Sequence, residues 1–313
     1  MRERSRPSGS DGRDGGGGGE GAAHEPVLSA EVVEWLAPVA AGTYVDGTLG
    51  LGGHTLALVR AGAGRVLGID RDPRALEVAR VRLAAYADVV DIVHGDYRRL
   101  DVVLAAKGID RVNGIVVDLG VSSLQLDDAT RGFSFRTAGP LDMRMDQSTG
   151  ATLAEKLAAV DEKTLADLIF AYGEERHSRR VARTVLRARD AGALTDTAAL
   201  ASAIRSGAGG RGWQRIDPAT RTFQALRIWV NGELEGLESF LATAIGCLVP
   251  QGRLAMLAFH SLEDRVVKHT GRKLAEDGRV RVLTKRPVVP GDAELARNPR
   301  ARSARLRVLE KVA

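Results

Sequence analysis

The stretch Val45-Asp46-Gly47-Thr48-Leu49-Gly50-Leu51-Gly52-Gly53-His54 decides the fold. An apolar, strand-like lead-in ends on an acid, turns through four glycines and opens into a helical pattern, Thr55-Leu56-Ala57-Leu58-Val59. A second strand-like run ending on an acid follows, Arg65-Val66-Leu67-Gly68-Ile69-Asp70. That layout predicts the first βαβ half of a nucleotide-binding sheet. A dinucleotide fits it poorly. Thr55 stands where the third glycine of the fingerprint belongs, and Asp46 at the strand end repels a pyrophosphate. An acid there suits a ligand with positive charge, such as S-adenosylmethionine with its ammonium and sulfonium groups. Glycine amides at the helix start are expected to face its carboxylate. Asp46 is expected near its amino group, and Asp70 is expected to accept from its ribose hydroxyls.

Working outward, the chain alternates strand and helix signals. Strands are expected at Thr43 to Asp46, Val66 to Asp70, Val89 to His94 and Gly114 to Asp118. Helices are expected at Ala30 to Leu36 capped by Ser29, Thr55 to Ala61, Pro73 to Tyr86 and near Tyr97 to Lys107. This alternation argues for a parallel, doubly wound sheet. From about Gly139 the strand signal fades and helical stretches replace it: Thr152 to Val160 with a Thr152/Glu155 capping box, Glu162 to Tyr172, His177 to Ala191 and Thr197 to Ser206. Gly207 to Gly212 reads as a loop. Sheet-type signals resume at Asp217-Pro218, a cap residue and a proline at the first helical position. Phe223, Leu226, Val230, Leu234, Leu237, Leu241, Ile245 and Leu248 recur every three or four residues, which predicts one long amphipathic helix. A buried strand, Arg253 to Phe259, and strand-like pieces at Val280 to Leu283 and Arg305 to Leu309 finish the chain. The expected architecture is α/β: a Rossmann-like, S-adenosylmethionine-dependent methyltransferase sheet over residues 23–138 and 217–313, with an inserted all-helical substrate-recognition subdomain over residues 139–216. Residues 1–22 are Gly-rich, carry four arginines matched by four acids, and are expected to be disordered.

Composition bounds the function. The 313 residues are 44% hydrophobic, enough for a sizeable core, yet only 4% aromatic, and the net charge of +5 permits a nucleic-acid partner without demanding one. The single cysteine, Cys247, excludes an internal disulfide and a cysteine-based metal cluster and reads as a small buried residue. No apolar run approaches bilayer length and no secretory signal opens the chain, so a cytoplasmic protein without a membrane partner is expected. His24 and His54 have no metal-ligand spacing, and no metal is expected.

Four strand ends converge on one crevice: Asp46, Asp70, Gly95-Asp96-Tyr97 and Asp118. Tyr97 is placed to border the adenine with Asp96 near its amino group. Asp118 and the following Leu119-Gly120-Val121-Ser122-Ser123 lie beside the methyl group. Ser122 and Ser123 read equally well as catalytic groups or as loop residues.

The chain resembles the bacterial small-subunit ribosomal RNA cytosine-N4 methyltransferase family, the MraW or RsmH family. The resemblance rests on His24 to Leu28, Asp46-Gly47-Thr48, Gly52-Gly53-His54, Gly68 to Pro73 and Asp118 to Ser123. It continues through Arg131-Gly132-Phe133-Ser134-Phe135, Gly139 to Asp146, Tyr172 to Arg176, Thr220 to Arg227, Phe259 to Arg265 and Asn298 to Ala304. Nearly everything after residue 23 is covered. The resemblance implies transfer of a methyl group from S-adenosylmethionine to the exocyclic N4 amine of one cytidine in the decoding region of small-subunit (16S) ribosomal RNA. It implies cofactor contacts at Gly52, Gly53, His54, Asp70, Tyr97, Asp118 and Gln125. Leu49 and Leu51 stand where Phe and Arg are usual, Leu124 where Pro is usual and Tyr97 where Phe is common. The partner is then ribosomal RNA or the assembled 30S subunit. The oligomeric state is open, a homodimer among the options.

The Asn/Asp-Pro-Pro-aromatic loop of many amino-methyltransferases is missing. Asp118, Ser122 and Ser123 stand in its place as catalytic candidates, with Asp118 either accepting from the amine or positioning the cofactor. Phe133 and Phe135 read as stackers for a flipped base or as core. Asp142, Arg144 and Asp146 suggest a salt-bridged hinge to the insert. His260, Ser261 and Asp264 are too crowded for a hydrolase triad, though His260 and Glu263 suit a substrate-side role. Two basic clusters, Arg176 to Arg189 and Arg297 to Lys311, read as phosphate contacts. The competing readings are a methyltransferase for another substrate and an RNA-binding ribosome-assembly factor with an inactive pocket.

Overall fold

The structure is a computed structural model that describes residues 26–209 and 217–312. The expected tail, His24, and the end of the expected Gly-rich loop lie outside the described residues. Seven strands form one sheet in the order β3-β2-β1-β4-β5-β7-β6. They are β1 (Thr43–Asp46), β2 (Arg65–Asp70), β3 (Val90–His94), β4 (Val112–Asp118), β5 (Leu248–Ala258), β6 (Val280–Val282) and β7 (Arg305–Lys311). The first five run parallel, and β7 pairs antiparallel with both β5 and β6. The order reverses between β1 and β4, so the crevice for a ligand opens beyond the carboxyl ends of those strands.

Both faces of the sheet are covered, which is why its strands read as nearly continuous Val/Ile/Leu runs. One face packs Val45, Leu67, Ile115 and Val117 against Leu237, Phe240, Leu241 and Ile245. The other packs Val66, Val116, Ala255 and Leu257 against Val32, Leu36 and Leu58. A separate core holds the helices Leu153–Ala159, Glu162–Gly173, Ser178–Asp190 and Thr197–Ala208, and Ala219, Phe223 and Leu226 of the next helix belong to it too. Among the described residues, no helix is long and apolar enough to cross a membrane.

Three sequence expectations need correction. The single long helix is two, Ala219–Asn231 and Leu237–Cys247, because Gly232 (φ 57°) and Gly236 (φ 71°) take left-handed conformations that stop one helix and start the next. Ser29 is the first residue of its helix, and Leu28, itself left-handed at φ 52°, precedes it without a side-chain cap. Pro218 precedes its helix instead of occupying the first helical position, while the Asp217 carboxylate accepts from the Ala219 amide at 2.9 Å. The capping box of Thr152 and Glu155 is present as expected.

Candidate functional site

A cavity of about 310 Å³ opens at the carboxyl ends of the central strands. It is walled by Thr48, Leu49, Gly50, Gly53 and His54 after β1, Asp70 after β2, Asp96 and Tyr97 after β3, and Asp118 through Ser123 after β4. Gln125, Met145, Arg227, Glu233, Phe259 and Glu263 also line it.

The loop after β1 is shaped by its glycines. Gly50 (φ 51°) and Gly52 (φ 78°) are left-handed, and Gly52 is the residue before helix Gly53–Arg60. Gly52 does not line the cavity. A Cβ on it would meet the Leu83 side chain at 2.8 Å, so its contribution is conformational. Asp46 corrects the expectation of an ammonium partner. It is fully buried, absent from the cavity wall, and consumed locally: one oxygen takes the Thr55 amide and hydroxyl at 3.1 and 2.9 Å, the other the Thr48 amide at 3.3 Å. The first turn of the following helix thus claims the acid.

Asp70 does face the cavity. Its carboxylate accepts from the Gly50 amide at 2.7 Å and the Asp72 amide at 2.8 Å. Burial pushes its carboxyl up to about 6, against the pull of those two amides. His54 is buried between two acids, its Nε2 3.6 Å from Asp118 Oδ2. That is an ion-pair distance too long for a hydrogen bond, and neither ring nitrogen has a hydrogen-bond partner among the described residues. Burial opposes the charge on His54, but Asp118 and Asp46 together raise its pKa. Asp118 itself is pinned at its amide by the Thr48 hydroxyl (2.7 Å) and at Oδ1 by the Gly120 amide (2.9 Å), leaving Oδ2 toward His54.

Tyr97 is held edge-on against Phe240, ring centroids 4.7 Å apart, and burial raises its pKa. Asp96 is clamped by Arg98; burial opposes its charge, yet the guanidinium holds its carboxyl below the usual range. Ser122 has a local task. It precedes helix Ser123–Asp127 and forms a reciprocal capping box with Gln125. Gln125 in turn donates from Nε2 to buried Asp72 at 2.9 Å. Ser123 lines the cavity.

Sequence reasoning missed several groups. Asp72 caps helix Pro73–Arg82 and accepts from fully buried Arg131 at 2.8 Å, and Arg131 continues to the carbonyls of Arg144 and Met145. Its Asp-Pro sequence at a helix start was the available signal. Arg227 and Glu233 form a bidentate pair at 2.8 to 3.1 Å on the cavity wall. His260 and Glu263, which the sequence suits to a substrate-side role, do lie together, His260 Nε2 3.0 Å from Glu263 Oε1. Glu233, His260 and Glu263 bring one possible ligand atom each within 4.8 Å of one another, beside the guanidinium that already neutralises Glu233.

Other expectations resolve by packing. Phe133 is buried and Phe135 packs on Phe223 (4.7 Å), and neither is on the cavity wall. Arg144 pairs with Asp142, while Asp146 turns to Ser148 and Thr149. The basic clusters are largely structural. Arg180 donates to the carbonyls of Gly207 and Ala208, Arg183 pairs with Glu162, and Arg189 donates to Leu157 and Val160. Arg300 pairs with Asp127, Arg305 and Arg307 pair with Asp264, and Lys311 donates to Leu248. Arg176, Arg179 and Arg187 are exposed and have no side-chain partner among the described residues.

The residues present suit S-adenosylmethionine: an acid at the end of β2 with lone pairs to spare, a bent glycine loop beside it, and an aromatic wall at Tyr97. The comparisons agree with that donor set. The family model described as the MraW methylase family matches residues 21–312. A Sorangium cellulosum protein named ribosomal RNA small subunit methyltransferase H is 52% identical over 292 residues, covering 93% of this chain and 92% of its own. Proteins of the same name from Deinococcus radiodurans (51% identical, 93% of this chain, 90% of theirs) and Geobacter sulfurreducens (48% identical, 92% of this chain, 99% of theirs) are similar throughout. The chain therefore belongs to the MraW methylase family and is a methyltransferase that takes its methyl group from S-adenosylmethionine.

Proposed function

We propose that this enzyme methylates the exocyclic N4 amine of a cytidine in the decoding region of small-subunit ribosomal RNA, acting in the cytoplasm where the 30S subunit is made. The observation that carries this reading is one continuous cavity. Asp70, Asp118, Arg227, Glu233 and Glu263 all line it. A donor and a flipped base need such adjoining seats. The names of the relatives, ribosomal RNA small subunit methyltransferase H, support the choice of acceptor.

S-adenosylmethionine supplies an electrophilic methyl group on a sulfonium. The chain's own residues do the rest. Asp70 accepts from ribose hydroxyls while Gly50 and Gly53 keep the loop close. Tyr97 borders the adenine. Gln125, tied to Asp72 and Ser122, holds the loop after β4 in place. A cytosine amine is a weak nucleophile because its lone pair is delocalised into the ring, so orientation and a hydrogen-bond acceptor matter most. Asp118, fixed at Oδ1 by the Gly120 amide, keeps Oδ2 for the amine or its departing proton, and His54 behind it steadies the charge. Ser122 acts by capping, and Ser123 shapes the wall.

The test is to incubate the protein with 30S subunits, or with naked 16S ribosomal RNA, and isotopically labelled S-adenosylmethionine. The RNA is then digested and mapped by mass spectrometry. One labelled N4-methylcytidine is expected. Label on another base, or on protein, or none in either substrate, rejects the proposal.

A further inference from the structure

We infer that Arg227 and Glu233 are the specificity-determining pair that recognises the Watson–Crick edge of the accepting cytosine. The inference rests on the function proposed above and adds which residues read the base. The pair stands on the wall of the same cavity as Asp118. Its position follows from the strand order. Asp118 ends β4 beside Leu257 of β5, and the Phe259 ring that follows β5 lies against Gly120: a Cβ there would sit 2.9 Å from it. The Phe259 amide donates to Glu263 at 2.8 Å, and Glu263 faces Arg227 and Glu233.

The backbone carrying the pair is rigidly placed. Glu233 follows Gly232 in the turn that ends helix Ala219–Asn231. Arg98 donates from Nη1 to the carbonyls of Gly232 (2.9 Å) and Glu235 (3.0 Å). Asn231 accepts from the Met145 amide and donates to the Met143 carbonyl, each at 2.8 Å. Such a turn is costly scaffolding for a mere surface ion pair. A buried pair also earns little net stability, since desolvation offsets most of the attraction. Its place on a cavity wall points to recognition.

The chemistry selects cytosine. That base presents a donor at N4 and acceptors at N3 and O2; uracil presents an acceptor at O4 and a donor at N3. Arg227 uses Nε and Nη2 on Glu233, and its Nη1 is not engaged by it. The pair thus offers carboxylate lone pairs next to a guanidinium donor; with the reacting N4 held at Asp118, that order meets N4 and N3 of cytosine and sets the carboxylate against O4 of uracil. A divalent cation on Glu233, His260 and Glu263 is the rival occupant. It is disfavoured because the Arg227 guanidinium already neutralises Glu233 and sets a positive charge beside the cluster, and the Phe259 amide donates to Glu263.

The test uses Glu233→Gln and Arg227→Lys in the full chain. Three measurements are made: S-adenosylmethionine affinity by calorimetry, single-turnover methylation of 30S subunits, and inhibition by 30S subunits whose target cytidine is replaced by uridine. The wild type should prefer the cytidine substrate by about tenfold to a hundredfold, the value of one bidentate base contact. In both variants that preference should collapse toward unity, with donor affinity within about twofold of wild type by the same reasoning. Retained preference in either variant overturns the inference, as does donor affinity lost in parallel in both. Calorimetric binding of magnesium or zinc ions to the wild type without RNA, lost in Glu233→Gln, overturns it in favour of the cation. Absence of N4-methylcytidine with the wild type is a different result and refutes the proposed function instead.

Discussion

Replacing Asp70 with asparagine separates what the acid does for the donor from what it does for the fold. Without donor, burial pushes the Asp70 carboxyl from 3.8 to about 6. At 1.36 kcal/mol per unit that shift is a destabilisation of about 3 kcal/mol at neutral pH, as a ceiling. Asp70 lies on the wall of an open cavity and keeps part of its surface exposed, so water there lowers the figure to about 1–2 kcal/mol. Asparagine removes that cost but turns an NH2 toward one of the two amides of Gly50 and Asp72, which costs about 1–3 kcal/mol. The two effects nearly cancel, and stability at pH 7 should change by about 1 kcal/mol or less. Donor binding has no such compensation. Losing one charge-assisted hydrogen bond costs about 1.5–3 kcal/mol, or roughly tenfold to a hundredfold in Kd.

The pH dependence supplies an independent check. A carboxyl whose folded pKa is raised favours folding fully below its unfolded pKa and loses that contribution as pH rises through the folded value. For Asp70 the window runs from 3.8 to about 6. Across it the wild type should lose about 1–2 kcal/mol relative to Asp70→Asn, and the difference should be flat above it. Urea unfolding of both proteins at several pH values, with calorimetric titration of S-adenosylmethionine at neutral pH, measures everything required. A flat difference across the window, or unchanged donor affinity, refutes the reasoning.

Arg131→Met should cost about 3–5 kcal/mol in urea unfolding, because it strands buried Asp72 and frees the carbonyls of Arg144 and Met145; a loss under about 1 kcal/mol would show the network to be dispensable. Gly132→Ala places a Cβ 2.2 Å from the Pro140 carbonyl oxygen at φ 72°, so a loss of at least about 2 kcal/mol is expected, and an unchanged Tm contradicts the packing. Changing Arg176, Arg179 and Arg187 together to Gln should weaken binding to 30S subunits and reduce the slope of log K against log salt by about 2–3 with Tm unchanged; an unaltered slope removes this face from the RNA interface. Arg180→Gln should instead lower Tm, since that side chain closes the end of helix Thr197–Ala208, and a stable variant with a reduced salt slope would reverse the assignment.

How far the sequence could be read depends on the range of the interaction behind each feature. The strand ends at Asp70 and Asp118 were legible because local period and turn glycines mark them within a few residues. Asp46 shows the limit of that logic. Its place was right, but its partner was a helix amide nine residues on instead of a ligand. Ser122 and Gln125 carry the spacing of a capping box, a pattern as readable as the catalytic one, and backbone satisfaction is what the structure selects. The arginines of Ser178–Asp190 could not be sorted, because the carbonyls that bind Arg180 and Arg189 come from other helices. The break at Gly232 and Gly236 matters most. Leucines at 226, 234, 237 and 241 keep helical spacing straight through it, so the hydrophobic period overrode two glycines that each cost about 1 kcal/mol in a helix interior. A continuous helix carries Arg227 and Glu233 six residues apart, well over a turn and on different faces. The left-handed turn folds Glu233 back onto Arg227 and sets both on the cavity wall. The stretch of cavity wall that carries Arg227 and Glu233 therefore depends on two glycine conformations that the apolar pattern concealed.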